Sequence, residues 1–125
     1  MQLAKKLMMV SMAVTDMPKA KAFYAETLGL EVKMDYRQDD ENWWVELMLP
    51  DNGAHITLST NHGTMKPGTL VIYFSTPDVA AAHKELTDKG VKVSEIGDDL
   101  HGPGSGTKWF NFNDTEGNLV HFEQA

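Results

Sequence analysis

The sequence contains no cysteine among its 125 residues, which excludes disulfide bridges, thiolate metal sites and a cysteine nucleophile. It also lacks any apolar run near the roughly 20 residues that a membrane-spanning helix needs. Basic residues are few: 11 Lys and Arg against 18 Asp and Glu give a formal net charge of -7. This balance argues against nucleic acid or an anionic membrane as a partner. We therefore expect a cytoplasmic protein that binds neither.

A length of 125 residues suits one compact domain, and the element signals occur in it twice. The N-terminal stretch MQLAKKLMMVSMAV is basic and then apolar like a signal peptide, but its apolar run is short and no small-residue cleavage site follows, so we interpret it as a first strand. The first module, about 5–62, has predicted strands at 7–14, 30–36, 43–49 and 54–60, a helix from Asp16 to Gly29, and a solvated turn at RQDDEN (37–42). The second module, about 68–125, has predicted strands at 69–75, 91–96, 109–113 and 118–123, a helix from Asp78 to Gly90, and a glycine-rich loop at 97–106.

The two modules align residue by residue at several positions. WVELMLPDNGAHITLS lines up with WFNFNDTEGNLVHFEQ, so that Trp44 matches Trp109, Gly53 matches Gly117, and Thr57 matches His121. The linker between the modules is predicted at NHGTMKPG (61–68). The sequence therefore predicts a duplicated strand–helix–strand–strand–strand unit.

Two stretches at opposite ends of the chain carry a family resemblance. VTDMPKAKAFYAETLGLEV and DTEGNLVHFEQ, with the FYxxxLGL signature and the closing DxxGN turn, resemble the vicinal oxygen chelate superfamily, which includes glyoxalase I, bleomycin-resistance proteins and extradiol dioxygenases. The resemblance implies an α+β fold in which two tandem βαβββ modules, within a single domain of residues 1–125, form a curved, partly open mixed sheet around a groove with the helices outside. The fold serves enzymes and binding proteins alike.

In enzymes of this superfamily, His, Gln and Glu side chains from the first and last strand of each module hold a divalent metal. The resemblance places these positions at Met9, Thr57, Val71 and His121. Valine cannot ligate, threonine is a poor neutral ligand, and a thioether suits Cu(I) better than harder ions. A catalytic site needs about three protein ligands. We therefore expect no metal and no other cofactor. The alternative is a rearranged site in which His121 and His55 hold Zn, Ni, Mn or Fe.

Adjacent Trp43 and Trp44 must point to opposite faces of their strand. Glu46 and Met48 share the face of Trp44, and a carboxylate is costly beneath a helix, so we predict that this face lines the groove. There Trp44 would offer a stacking surface and Glu46 a charge for a cationic ligand. On the other face, Trp44 would instead pack under the first helix. The sequence leaves the orientation of Trp109 open in the same way.

The predicted ligand-binding residues are Met9, Trp44, Glu46, His55, Thr57, Val71, Trp109 and His121; no catalytic residue is identifiable. For His121, an ordinary hydrogen-bonded polar residue, a ligand contact and a metal ligand all stay open. His62 and His83 are expected to face solvent.

The leading hypothesis is a homodimeric protein that binds an organic small molecule in the manner of bleomycin-resistance proteins. One alternative is a metal-dependent lyase, isomerase or dioxygenase of the glyoxalase class. Another is a structural or regulatory protein whose groove is filled by its own side chains.

Overall fold

In the computed structural model, which describes all residues from 1 to 125, the chain divides into two compact units, Met1–Gly68 and Thr69–Ala125. The division falls at the end of the predicted linker. The expectation that both modules belong to one domain stays a prediction. No helix in the chain is long and apolar enough to cross a membrane.

The first unit contains one helix and a four-stranded mixed sheet. Its elements are β1 (Met9–Ala13), α1 (Met17–Ala22), which continues as a π-helical turn (Phe23–Thr27), β2 (Glu31–Asp39), β3 (Asn42–Met48) and β4 (His55–Ser59). The strand order is β1-β4-β3-β2, with β1 parallel to β4 and the other neighbours antiparallel.

Helix α1 begins and ends where the sequence predicts. The Asp16 carboxylate accepts a hydrogen bond from the backbone N–H of Lys19 at 3.1 Å, which satisfies a donor of the first turn. Gly29 follows the helical residues with φ of 84°, a left-handed conformation that glycine adopts without a Cβ clash. The helix contacts β4, and the core contains Met12, Met17, Ala20, Tyr24, Val45, Leu47 and Leu58.

Strand β2 is longer than predicted, because the stretch RQDDEN is not all turn. Arg37, Gln38 and Asp39 continue the strand, and only the following two residues reverse the chain. The Asp39 carboxylate accepts hydrogen bonds from the backbone N–H groups of Glu41 and Asn42 at 3.0 and 2.8 Å. The Asp39 side chain thus stabilises the whole turn, which allows a shorter turn than the six polar residues 37–42 predict.

The second unit contains one helix and a three-stranded mixed sheet. Its elements are β5 (Val71–Thr76), α2 (Val79–Asp88), β6 (Trp109–Asn113) and β7 (Leu119–Gln124), with sheet order β5-β7-β6. The Asp78 carboxylate caps α2 by accepting from Ala81 N at 3.0 Å. The core contains Phe74, Val79, Leu86, Phe110, Phe112 and Val120.

The strand predicted at 91–96 is wrong. The segment runs beside β6 but forms no regular ladder. The Ser94 carbonyl contacts His83 Nε2 at 2.9 Å instead of accepting from the backbone N–H of Asn111. Asn111 N donates to the Ser94 hydroxyl at 2.9 Å, while Ser94 N donates to the Asn111 carbonyl at 2.8 Å. A side-chain oxygen has therefore replaced a backbone oxygen, and local side-chain bonds of this kind compete with sheet ladders.

The internal repeat is visible in strand register. Thr57 pairs with Ser11 of β1 and Glu46 of β3, and His121 pairs in the same way with Tyr73 of β5 and Asn111 of β6. Trp44 and Trp109 likewise lie opposite Ser59 and Glu123, each two residues beyond Thr57 or His121. The α+β fold of two related modules is confirmed, with one regular strand fewer in the second module than predicted.

Candidate functional site

The first sheet has one apolar face and one mixed face. Along β3, Val45 and Leu47 are fully buried, whereas Trp44, Glu46 and Met48 alternate with them and are partly or well exposed. This is the period of two that puts neighbouring side chains on opposite faces. We call the surface formed by Met9, Met34, Tyr36, Trp44, Glu46, Met48, His55 and Thr57 the open face of the first sheet.

Glu46 and His55 contact each other on the open face. The Glu46 carboxylate binds Nδ1 of the His55 ring, and the two side chains are only 12% and 13% exposed. A carboxylate is an acceptor, so Nδ1 donates to it, and in the neutral ring Nε2 then has the lone pair. The contact both satisfies the carboxylate and fixes the ring, so that Nε2 can accept a hydrogen bond or bind an ion.

An aromatic pair lies next to Glu46 on the same face. The rings of Tyr36 and Trp44 have centroids 4.5 Å apart and planes tilted by 30°, and their residues are 46% and 39% exposed. Exposed aromatic surface of this size is available to stack against a planar ligand. Trp43 differs: its Nε1 donates to Asp35 at 2.7 Å, and Arg37 lies over its ring.

Met9 and Thr57 also contact each other on the open face. The Thr57 hydroxyl donates to the Met9 sulfur at 3.4 Å, and Met9 is 46% exposed whereas Thr57 is buried. In addition to Trp44, the first unit thus brings together four of the predicted ligand-binding residues: Met9, Glu46, His55 and Thr57.

In the second unit, His121 lies between two aromatic rings. Its ring stacks on Tyr73, with centroids 4.6 Å apart and planes 13° from parallel, and is tilted against Trp109 at 5.7 Å. His121 is buried, and its Nδ1 has no hydrogen-bond partner. Burial lowers the pKa of His121 because a charged ring is poorly solvated there, while the charge of Glu123 acts in the opposite direction.

The glycine-rich loop joins this sheet at Trp109. Trp109 Nε1 donates to the Asp99 carboxylate at 3.2 Å, and Gly97 pairs with Trp109 through two backbone hydrogen bonds. His101 Nε2 lies 3.6 Å from the carboxylate of Glu123, the cross-strand partner of Trp109. The loop is therefore tied to the Trp109–Glu123 row of the sheet, two residues along β7 from His121.

Val71 contributes least among the predicted residues. It starts β5 opposite Leu119 and is 53% exposed, with no polar group to offer. A shallow depression beside the loop, lined by Ser105, Gly106, Thr107, Lys108 and Gln124, includes none of the predicted residues.

Two histidines expected to face solvent do not. His83 is half-buried, binds the Ser94 carbonyl and packs its ring against Phe110 with centroids 5.1 Å apart. His62 has a buried Nδ1 without a partner. The position of His83 on its helix does not reveal that the side chain is half-buried, because its partner Ser94 belongs to a segment that was predicted as a regular strand.

Sequence reasoning missed Tyr36, Tyr73 and Asn111. Tyr73 and Asn111 lie across from His121 on the two neighbouring strands, and Tyr36 lies across from Trp44. The signal existed in the period of two along each strand, but choosing the partner requires the strand register, which only the paired structure gives.

The four positions that the superfamily uses for its metal do not fit a divalent ion. The donor set is a thioether, a hydroxyl, an alkyl group and one imidazole, at Met9, Thr57, Val71 and His121. The Thr57 hydroxyl donates to the Met9 sulfur, and the His121 ring is stacked on Tyr73. No group of three His, Asp or Glu side chains lies close enough to hold an ion. Hard and borderline ions prefer oxygen and imidazole donors in larger number.

Several solved structures resemble this chain over nearly its whole length. An antibiotic-binding protein from Streptomyces sp. CB03234, TnmS3, shares 27% identity over 99% of this chain and 98% of its own, with a TM-score of 0.84. A glyoxalase/bleomycin resistance protein from the same organism shares 28% identity over 96% of this chain and 100% of its own, with a TM-score of 0.76. A superfamily member from Sphaerobacter thermophilus DSM 20745 shares 25% identity over 99% and 100%, with a TM-score of 0.82. A comparison with curated proteins finds no match.

The sequence model of one family covers residues 6–122, which includes every strand and helix of both units except the last two residues of β7. Together with the paired modules, this match is decisive: the chain belongs to the glyoxalase/bleomycin resistance protein/dioxygenase superfamily.

Proposed function

We propose that this protein binds an organic small molecule with a planar ring, and that it does so without the divalent metal of the superfamily's enzymes. The observation that carries the proposal is the Tyr36–Trp44 pair, which leaves two aromatic rings exposed beside the Glu46–His55 contact. A ring could stack on the former while a polar or cationic substituent approaches the Glu46 carboxylate.

The chemistry of the second sheet supports the same kind of ligand. Tyr73, His121 and Trp109 form a run of contacting rings, and the unpartnered Nδ1 of His121 offers one further hydrogen bond. An antibiotic-binding relative with the same fold is consistent with a ligand of this class.

The test is tryptophan fluorescence and melting temperature in the presence of a panel of antibiotics with and without fused aromatic rings. A ligand that binds only the folded state must raise the melting temperature. We expect quenching and stabilisation by a subset of the planar compounds, and loss of both in Trp44→Leu. Trp43→Leu is the matched control, because Trp43 occupies the adjacent position on the opposite face.

If no compound on a broad panel gives either effect, the binding hypothesis fails. If Trp43→Leu and Trp44→Leu weaken a ligand equally, the open face is not its site. The alternative of a metal-dependent enzyme that uses His55 and His121 has less support, because no group of three His, Asp or Glu side chains lies close enough to hold an ion and the His121 ring is stacked on Tyr73.

We also propose that the protein acts as a homodimer. The edge strands β1 and β5 expose apolar side chains, with Met9 and Val10 each 46% exposed and Val71 and Tyr73 53% and 59% exposed. Sheet edges with apolar side chains readily pair with another chain. Sedimentation equilibrium of the wild type and of Val10→Lys should separate dimer from monomer; a monomeric wild type would reject the proposal. The cytoplasmic location stays a prediction.

A further inference from the structure

Three side chains with soft or borderline donor atoms form a row across the first sheet. Met9 on β1 lies opposite His55 on β4. In the antiparallel pair of β3 and β4, Leu47 lies opposite Ile56, and continuing that register by one residue places Met48 opposite His55. The row Met9–His55–Met48 therefore crosses three adjacent strands.

All three side chains belong to the open face. The Met9 sulfur contacts Thr57, which shares its strand face with His55. Met48 follows Glu46 by two residues, and Glu46 contacts His55 directly. Side chains directly opposite each other in an antiparallel pair, as Met48 and His55 are, have Cβ atoms about 4.5–5.5 Å apart. Met9 lies beside His55 across the parallel pair. The three rotatable bonds of methionine allow both sulfur atoms to turn towards the imidazole ring.

Glu46 prepares the histidine for a metal. Because its carboxylate accepts from Nδ1, the neutral ring has its lone pair on the other nitrogen, Nε2. Metal-binding histidines commonly donate their other ring nitrogen to a carboxylate in this way, which fixes the ring and raises the basicity of the ligand. Met9, at 46% exposure, leaves the row accessible from solvent.

We propose that Met9, His55 and Met48 form a binding site for monovalent copper. Thioether sulfur selects Cu(I) over hard divalent ions, and imidazole is also a copper ligand. The chain has no cysteine, so methionine supplies its only soft donors. The site shares only Met9 with the positions that the superfamily uses for divalent metals. It adjoins the proposed organic-ligand site at the Glu46–His55 contact, but it does not require an organic ligand to be bound.

The experiment is an anaerobic titration of the whole protein with Cu(I) against a chromogenic Cu(I) chelator. Ag(I) serves as a redox-stable probe for NMR of protein with ¹³C-labelled methionine methyl groups. We expect one equivalent of metal to bind and to shift the methyl signals of Met9 and Met48 before those of the other methionines. Met9→Leu and Met48→Leu should each weaken Cu(I) binding about tenfold or more, and Glu46→Gln about tenfold through the ring it orients.

Met65→Leu is the control, because Met65 is exposed and lies outside the sheet. Leucine conserves the volume of methionine, and unfolding curves will confirm that each variant is folded. Equal affinity in Met65→Leu and Met48→Leu, or Ag(I) shifts spread evenly over the exposed methionines, would overturn the proposal. A wild-type protein that binds no Cu(I), while organic ligands still quench its tryptophan fluorescence, rejects the copper site alone. A wild-type protein that binds Cu(I) but no compound of the panel rejects only the proposed function.

Discussion

Glu46 and His55 contact each other across two adjacent strands, and neither side chain is more than 13% exposed. Each side chain provides the hydrogen-bond partner of the other, which would otherwise be largely shielded from water without a partner. This pair joins the exposed aromatic rings on one side to the Met9–Met48 row on the other, so its removal should affect stability as well as binding.

Glu46→Leu should destabilise the protein by about 1–3 kcal/mol, because the protonated Nδ1 of His55 loses its acceptor. Glu46→Leu combined with His55→Leu should cost less than the sum of the two single changes, since no polar group is then left unpaired. Urea unfolding measures all three. Asp88→Asn is the control: its partner Lys84 and Asp88 itself are well exposed, and the change should stay within about 0.5 kcal/mol. Additive costs in the double variant would show that the pair is not coupled.

His121 should make the protein less stable as the pH falls. Its pKa is lowered from the ordinary 6.5 in the folded state, so the unfolded state binds its proton first. Stability from this group is therefore complete above pH 6.5, declines as the pH falls below 6.5, and stops changing once the pH is below the folded pKa. Urea unfolding between pH 8 and pH 5 should show a shallower loss for His121→Gln than for the wild type. An unchanged profile in His121→Gln would contradict the argument.

Gly97→Ala should destabilise the second unit through a clash with Trp109. A Cβ at position 97 would lie 2.6 Å from Trp109 Nε1 and 2.8 Å from Trp109 Cε2. Both distances are shorter than the closest approach of a methyl carbon to an indole ring. Overpacking of this kind typically costs about 1–3 kcal/mol. In a Trp109→Leu background the same change should cost much less, because the ring is gone. Equal costs in the two backgrounds, measured by thermal unfolding, would show that the indole is not the obstacle.

Asp114→Ala should cost far more than Asp51→Ala, although both residues open a turn before the last strand of a module. The Asp114 carboxylate is buried and accepts from the backbone N–H groups of Glu116 and Asn118 and from the Asn118 amide. The Asp51 carboxylate is exposed and is bound by Gly53 N. We expect a loss of about 2–4 kcal/mol for the first, since several buried donors lose their acceptor, and about 0.5–1.5 kcal/mol for the second. Similar melting temperatures for the two variants would contradict this difference.

Local signals were sufficient for most elements of the fold. Asp16 and Asp78 marked the helix starts, Gly29 and Gly90 the ends, and the period of two along β3 assigned Trp44 and Glu46 to one face. The strand prediction for 91–96 was wrong for a reason that lies outside the segment, because His83 on α2 contacts the Ser94 carbonyl.

The sequence by itself determined that the chain is a duplicated α+β unit, since periodicity, caps and turns act over a few residues and recur in both halves. It also determined the donor chemistry at Met9, Thr57, Val71 and His121, because side-chain chemistry does not depend on the fold. Only the tertiary structure decided which side chains meet. Tyr36 beside Trp44, Tyr73 on His121, and Met9 and Met48 on either side of His55 follow from strand register, and a shift of one residue would have moved each of them to the opposite face.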